Sequence, residues 1–99
     1  MPDVVVIATA KAKPGKESEL ERALREVAKP TRQQSGCVRF SLYRSEDDRG
    51  VIVAVERWKT KADHDRHLQG PHFQKLAAAM GNIVADSPRI VWHEIIDEA

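Results

Sequence analysis

Cys37-Val38-Arg39-Phe40-Ser41-Leu42-Tyr43-Arg44-Ser45, then Glu46-Asp47-Asp48-Arg49-Gly50, then Val51-Ile52-Val53-Ala54-Val55-Glu56-Arg57-Trp58: the reading of this stretch decides the fold. In the first run Val38, Phe40 and Leu42 alternate with Arg39, Ser41 and Tyr43, the period of a strand with one apolar and one mixed face. The acidic run closed by Gly50 is a hairpin loop, and the β-branched run after it is the returning strand. Two adjacent antiparallel strands therefore sit in the middle of the chain.

On the amino-terminal side, Lys16 to about Gln34 carries Leu20, Leu24, Val27 and Thr31 at helical spacing with charges between them, which predicts an amphipathic helix. Pro30 is expected to kink or fray its last third, because the ring removes a backbone donor and collides with the preceding turn. Before it, Val4 to Ala12 reads as a strand ended by the turn signal Lys13-Pro14-Gly15. On the carboxy-terminal side, Thr60 and Asp63 form an N-cap pair that starts a short helix through Leu68. Gly70 ends that helix and Pro71 suits the first position of another, whose stripe is Phe73, Leu76, Ala77, Met80 and Val84. Ser87-Pro88 precedes a last strand, Arg89 to Ile96. The order is β-α-β-β-α-β with the second helix broken. The predicted class is α+β, a ferredoxin-like four-stranded antiparallel sheet with helices on one face, in a single domain spanning 1–99.

Strands one and three are apolar on both faces: Val4, Val6 and Ala8 against Val5 and Ile7, then Ile52 and Ala54 against Val51, Val53 and Val55. A sheet covered on one face alternates, so the second face needs its own cover, and a second copy of the chain is the expected one. A homodimer would also help a domain of this length, which buries only about two-thirds of its unfolded surface.

With 16 basic and 15 acidic residues the net charge is +1, which gives no electrostatic reason to expect nucleic acid or an anionic membrane as partner. Met1-Pro2-Asp3 is not a basic leader, and Val4 to Ala8 is too short to span a bilayer. The lone Cys37 has no internal disulfide partner, and a cytoplasmic location is expected.

Chemistry-bearing residues crowd between Glu56 and Phe73, which hold three of the four histidines. Glu56 and Trp58 are two apart on a strand and so share the face of Ile52 and Ala54. A carboxylate on that face needs a partner, and a histidine is the expected one. Its role is either to hold that histidine or a backbone amide, or to take part in catalysis. His64 and His67 share one side of the short helix, and His72 opens the next. Imidazole exchanges a proton near neutrality, which suits a phenol or quinol whose anion must form before oxygen reacts. His67 and His72 each equally fit a structural role at the Gly70-Pro71 corner, and His64 is expected to face solvent. The spacing matches no established metal motif, so no metal is expected. Trp58 and Phe73 suit stacking on, or walling, a flat aromatic ligand, Tyr43 a polar contact with substrate or a dimer partner, and Trp92 and His93 the dimer contact.

Lys13-Pro14-Gly15-Lys16, Ser35-Gly36-Cys37, Tyr43-Arg44-Ser45, Glu56-Arg57-Trp58 and His67-Leu68-Gln69-Gly70-Pro71-His72-Phe73, in this order, resemble the antibiotic biosynthesis monooxygenase domain family. The resemblance implies a dimeric α+β barrel with a cleft between sheet and helices in each subunit. Such families hold cofactor-independent quinol or anthrone oxygenases, haem-degrading oxygenases, a sugar-phosphate isomerase and members without known activity. Where haem degraders carry Asn, Trp and His, this chain has Ala8, His67 and Ala77, so haem cleavage is not expected. Where aromatic polyketide oxygenases carry a strand Asn and a helix Tyr, it has Ala54 and His64, although the Trp is kept as Trp58. His67 and His72 fall in the family motif and, with Glu56, are the catalytic candidates; Trp58, Phe73 and Tyr43 are the substrate-binding ones. The expected function is oxidation of a quinol-like or enolisable aromatic molecule by histidine-assisted deprotonation and direct reaction with dioxygen, with no cofactor. An isomerase of a small hydroxyketone and a noncatalytic ligand-binding or dimerisation module are the alternatives.

Overall fold

The computed structural model describes residues 3–99, so the Met1-Pro2 part of the amino-terminal reading lies outside it. The elements in chain order are β1 (Val4–Lys11), α1 (Glu17–Arg32), β2 (Cys37–Arg44), β3 (Val51–Trp58), α2 (Lys61–Gln69), α3 (Pro71–Met80) and β4 (Arg89–Glu94). The four strands form one sheet in the order β2-β3-β1-β4. Every pairing is antiparallel, which gives the ferredoxin-like α+β arrangement.

The three helices lie on one face of this sheet. Val4, Val6 and Ala10 of β1 and Ile52, Ala54, Glu56 and Trp58 of β3 are buried beneath them, while Val5, Ile7, Val51, Val53 and Val55 on the other face remain half-exposed. Leu20, Leu24, Val27, Ala28 and Thr31 are the buried side of α1, as the helical spacing requires. Helix α1 carries Pro30 within its last turn and stops at Arg32. Its closing turn is tightened by bonds from Gln33 N to Pro30 O and from Gln34 N to Thr31 O, each spanning three residues. Helix α1 thus ends two residues before the expected Gln34.

Strand β2 departs from simple alternation. A bulge between Cys37 and Arg39 sets Cys37 opposite Trp58 and Arg39 opposite Arg57. The extra residue moves Val38 off the apolar face and leaves it 46% exposed, so Cys37 takes its place beside Phe40 and Leu42. The stripe of the last helix is also shorter than expected. Helix α3 ends at Met80, and Ile83 and Val84 are buried from the turn that follows, with Val84 bridging Ala12.

At the entry to β2, Gly36 has φ of 86°, a left-handed conformation that suits glycine. The side chain of Asp63 occupies the space a Cβ would need there, and Gly36 O accepts from Lys59 N at 2.8 Å. These contacts hold the start of α2 against the end of the central hairpin. The Thr60 hydroxyl caps α2 by accepting from Asp63 N at 3.0 Å. Among the described residues no helix is long and apolar enough to cross a membrane.

Candidate functional site

Because β1 and β3 pair in register, the helix-covered face can be followed step by step. Ala10 lies opposite Ile52, Ala8 opposite Ala54, Val6 opposite Glu56 and Val4 opposite Trp58. On the other side of β1, Ile90 pairs with Ala8 and Trp92 with Val6. The face is therefore apolar at one end and polar-aromatic at the other.

Between sheet and α3 lies an apolar cavity of about 200 Å³, walled by Ala8, Ala54, Phe73, Leu76, Met80 and Ile90 among others. Alanines at 8, 54 and 77 leave the space that larger side chains would fill. A dry apolar cavity of about 150 Å³ accepts benzene, so this one has room for a single substituted ring. Glu56 sits one same-face step, about 7 Å, further along β3 than Ala54.

Beyond the cavity is a cluster made by β3, α2 and β4. Trp58 is fully buried, and its Nε1 donates to Glu56 Oε1 at 2.9 Å. The same oxygen lies 3.9 Å from His64 Nε2. Trp92 Nε1 donates to His64 Nδ1 at 2.8 Å, and the Lys61 ammonium stands 5.1 Å from the Trp92 ring centre. His67 stacks on Trp58 at 5.0 Å between ring centres and meets Phe73 edge-on at 5.3 Å, so one imidazole joins the cluster to the cavity wall. Its Nδ1 is 2.6 Å from Gln34 Oε1, which makes Nδ1 the donor and leaves Nε2 unprotonated in the neutral ring.

Burial dominates the electrostatics of the cluster. It pushes the Glu56 carboxyl up from 4.5 to about 7, against the opposing hydrogen bond from Trp58. Burial first, then the neighbouring His64 and His72, pushes His67 down to about 4. His64 is lowered by burial and partly restored by Asp65. At neutral pH both imidazoles are uncharged and Glu56 is poised between its two forms.

Of the residues singled out from the sequence, Glu56, Trp58 and His67 meet in this cluster, and Phe73 lies between it and the cavity. His72 does not join them; it is exposed on α3, in a shallow groove beside Glu26 and Lys75. Tyr43 pairs with Val53 on the opposite face of the sheet and is 52% exposed, away from the cavity. Two expectations are corrected. His64 does not face solvent but is 1% exposed, because its side of α2 rests on the sheet. Trp92 belongs to the helix-covered face rather than with His93, since it pairs with Val6. Only the register between β4 and β1 reveals this, and the indole N–H beside a histidine is the signal that pattern reading lacks. Among the described residues, no three His, Cys, Asp or Glu side chains converge as metal ligands.

Residues 3–79 match the family model described as antibiotic biosynthesis monooxygenase. A Mycobacterium tuberculosis protein named "Putative monooxygenase Rv0793" is 31% identical over 96 residues, which is 97% of this chain and 94% of that one. The structure of Rv0793 superposes with a TM-score of 0.92 over 99% of each chain. The crystal structure of PA3566 from Pseudomonas aeruginosa, 26% identical, also gives 0.92 and covers 98% of this chain and 97% of its own. An uncharacterized Synechocystis protein, sll1783, is 27% identical over 94 residues, and the chain spans 64% of its length.

Proposed function

Because this chain belongs to the antibiotic biosynthesis monooxygenase family, we propose that it is a monooxygenase that oxidises a one-ring quinol or another small enolisable aromatic molecule with dioxygen, without a bound cofactor. The observation that carries this reading is the apolar cavity of about 200 Å³ ending one step short of a buried carboxyl whose pKa lies near 7. A ring in the cavity is desolvated, and a hydroxyl extending from it along β3 is directed toward Glu56.

Among the candidate bases, Glu56 is matched best to neutral pH, because a base is most effective when its pKa lies near the working pH. His67, held near 4, is a weak base; as a neutral ring it orients Phe73 and the substrate edge. Glu56 takes the substrate proton, and the carbanion-like ring carbon forms a bond to dioxygen. The proton returns to the distal oxygen to give a hydroperoxide. Loss of water, with the hydrogen that carbon still carries, leaves a carbonyl. One oxygen atom ends in product and the other in water, and all four electrons come from the substrate. No external reductant is consumed.

The half-exposed face of Val5, Ile7, Val51, Val53 and Val55 supports a homodimer joined through the sheet, with Tyr43 and His93 at that contact. Sedimentation at micromolar concentration is expected to give twice the chain mass. The test of function is oxygen uptake by the purified, metal-free protein with a panel of one-ring quinols, beside Glu56→Gln. No uptake with any quinol removes the oxygenase reading and favours an isomerase or a binding module.

A further inference from the structure

We infer that Trp92 is a positioning residue: its indole selects the tautomer of His64, so that His64 turns an N–H, and not a lone pair, toward the Glu56 carboxyl. The catalytic consequence rests on the function proposed above, whereas the tautomer stands on geometry alone.

The indole nitrogen carries a hydrogen and has no lone pair to offer. At 2.8 Å from His64 Nδ1 it can only donate, so Nδ1 must accept. A neutral imidazole has a single N–H, which is thereby placed on Nε2. Nε2 is the atom that faces Glu56 Oε1, at 3.9 Å. That oxygen already accepts from Trp58 Nε1 at 2.9 Å, so two donors flank it, one bonded and one just outside bonding distance. When Glu56 ionises, the second donor has a reason to close. With the reverse tautomer a lone pair would face the carboxylate and oppose its charge.

Trp92 thus decides the sign of His64's action on Glu56. The lysine over its ring strengthens the arrangement, because a cation on the face draws electron density from the indole and makes its N–H a better donor. Trp92 is 40% exposed, so this contact links a surface side chain to a fully buried pair. Among the described residues, the other titratable groups that interact with the pair are Cys37 from β2, and Asp65 and His67 from α2. Neither β1 nor β2 adds a charge opposite Glu56, whose cross-strand partners are Val6 and Phe40.

Long-range proton–nitrogen NMR of the histidine rings tests the inference directly in the wild-type chain. At pH 7 to 8 His64 is expected as the Nε2–H form. In Trp92→Phe the ring is expected to shift toward the Nδ1–H form, and the carboxyl carbon of Glu56 to titrate at higher pH. A wild-type His64 in the Nδ1–H form overturns the inference without any variant. An unchanged tautomer, or an unmoved Glu56 titration, in a folded Trp92→Phe protein overturns it as well. With a quinol that wild type oxidises, Trp92→Phe is expected to lower kcat about tenfold with KM nearly unchanged, and to move the acidic limb of the pH profile upward. If wild type takes up no oxygen, the proposed function fails, and the ring spectra still decide the role of Trp92.

Discussion

The two ends of the helix-covered sheet face are built on the same two strands and have opposite characters. At one end Ala10, Ala12 and Ile52 pack against Leu20, Leu24, Met80, Ile83 and Val84, all apolar. At the other, Val4, Val6 and Trp58 surround Glu56, His64 and His67. The apolar end stabilises by removing hydrocarbon from water. The polar end must meet the cost of burying hydrogen-bonding groups, and it does so largely by pairing: Trp58 Nε1 with Glu56, Trp92 Nε1 with His64 Nδ1, and His67 Nδ1 with Gln34. One end holds the fold, and the other holds ionisable groups in a place water does not reach.

The largest difference between the ends is expected in catalysis. Glu56→Gln keeps the size and the acceptor for Trp58 but removes the base, so oxygen uptake should fall about 10²- to 10⁴-fold. The variant should unfold at a urea concentration no lower than wild type at pH 8. Uptake within a few fold of wild type would assign the proton transfer elsewhere. The opposite end should show the reverse pattern. Leu20→Ala, at a fully buried position, is expected to destabilise by about 2–5 kcal/mol while the surviving folded protein keeps its turnover. Urea unfolding and oxygen uptake measured on the same samples separate the two.

The apolar end was legible in the sequence because hydrophobic spacing reports it. Leu20, Leu24, Val27 and Thr31 are all buried on α1, and Glu56 and Trp58 do share the face of Ile52 and Ala54. The polar end was legible only in part. The buried residues of α2 are His64 and His67, so no apolar stripe marks which side of that helix faces inward. The partner of His64 arrives from the far end of the chain, and its face depends on a register that periodicity does not set. Val38 leaves the apolar face for a related reason, because a bulge adds a residue without changing the composition of the strand.

A smaller effect should appear in the pH dependence of stability. Glu56, raised from 4.5 to about 7, holds its proton more tightly folded than unfolded, so its contribution is full below pH 4.5 and is lost as pH rises through 7. His67, lowered from 6.5 to about 4, contributes fully above pH 6.5 and loses that contribution as pH falls through 4. Between pH 4.5 and 6.5 the two slopes oppose each other, and His64, also lowered, adds to the side of His67. Glu56→Gln should therefore steepen the rise of stability with pH in this window, whereas His67→Gln should flatten or reverse it. Urea midpoints taken across that range read both slopes. Equal slopes in wild type and both variants would mean that the cluster does not bind its protons differently on folding.

The smallest expected effect is at His72, where sequence motif and structure point in different directions. The motif makes it a base, whereas the fold leaves it exposed in the first turn of α3, outside both the cavity and the cluster. Its nearest influence is through charge, since it is among the neighbours that lower His67. His72→Ala is accordingly expected to change stability by no more than about 0.5 kcal/mol and to leave oxygen uptake within about twofold of wild type. A tenfold loss of uptake with stability intact would reverse the comparison between the two ends. The proton would then be taken at the exposed start of α3, and the buried carboxyl with its two indoles and two imidazoles would be a structural device.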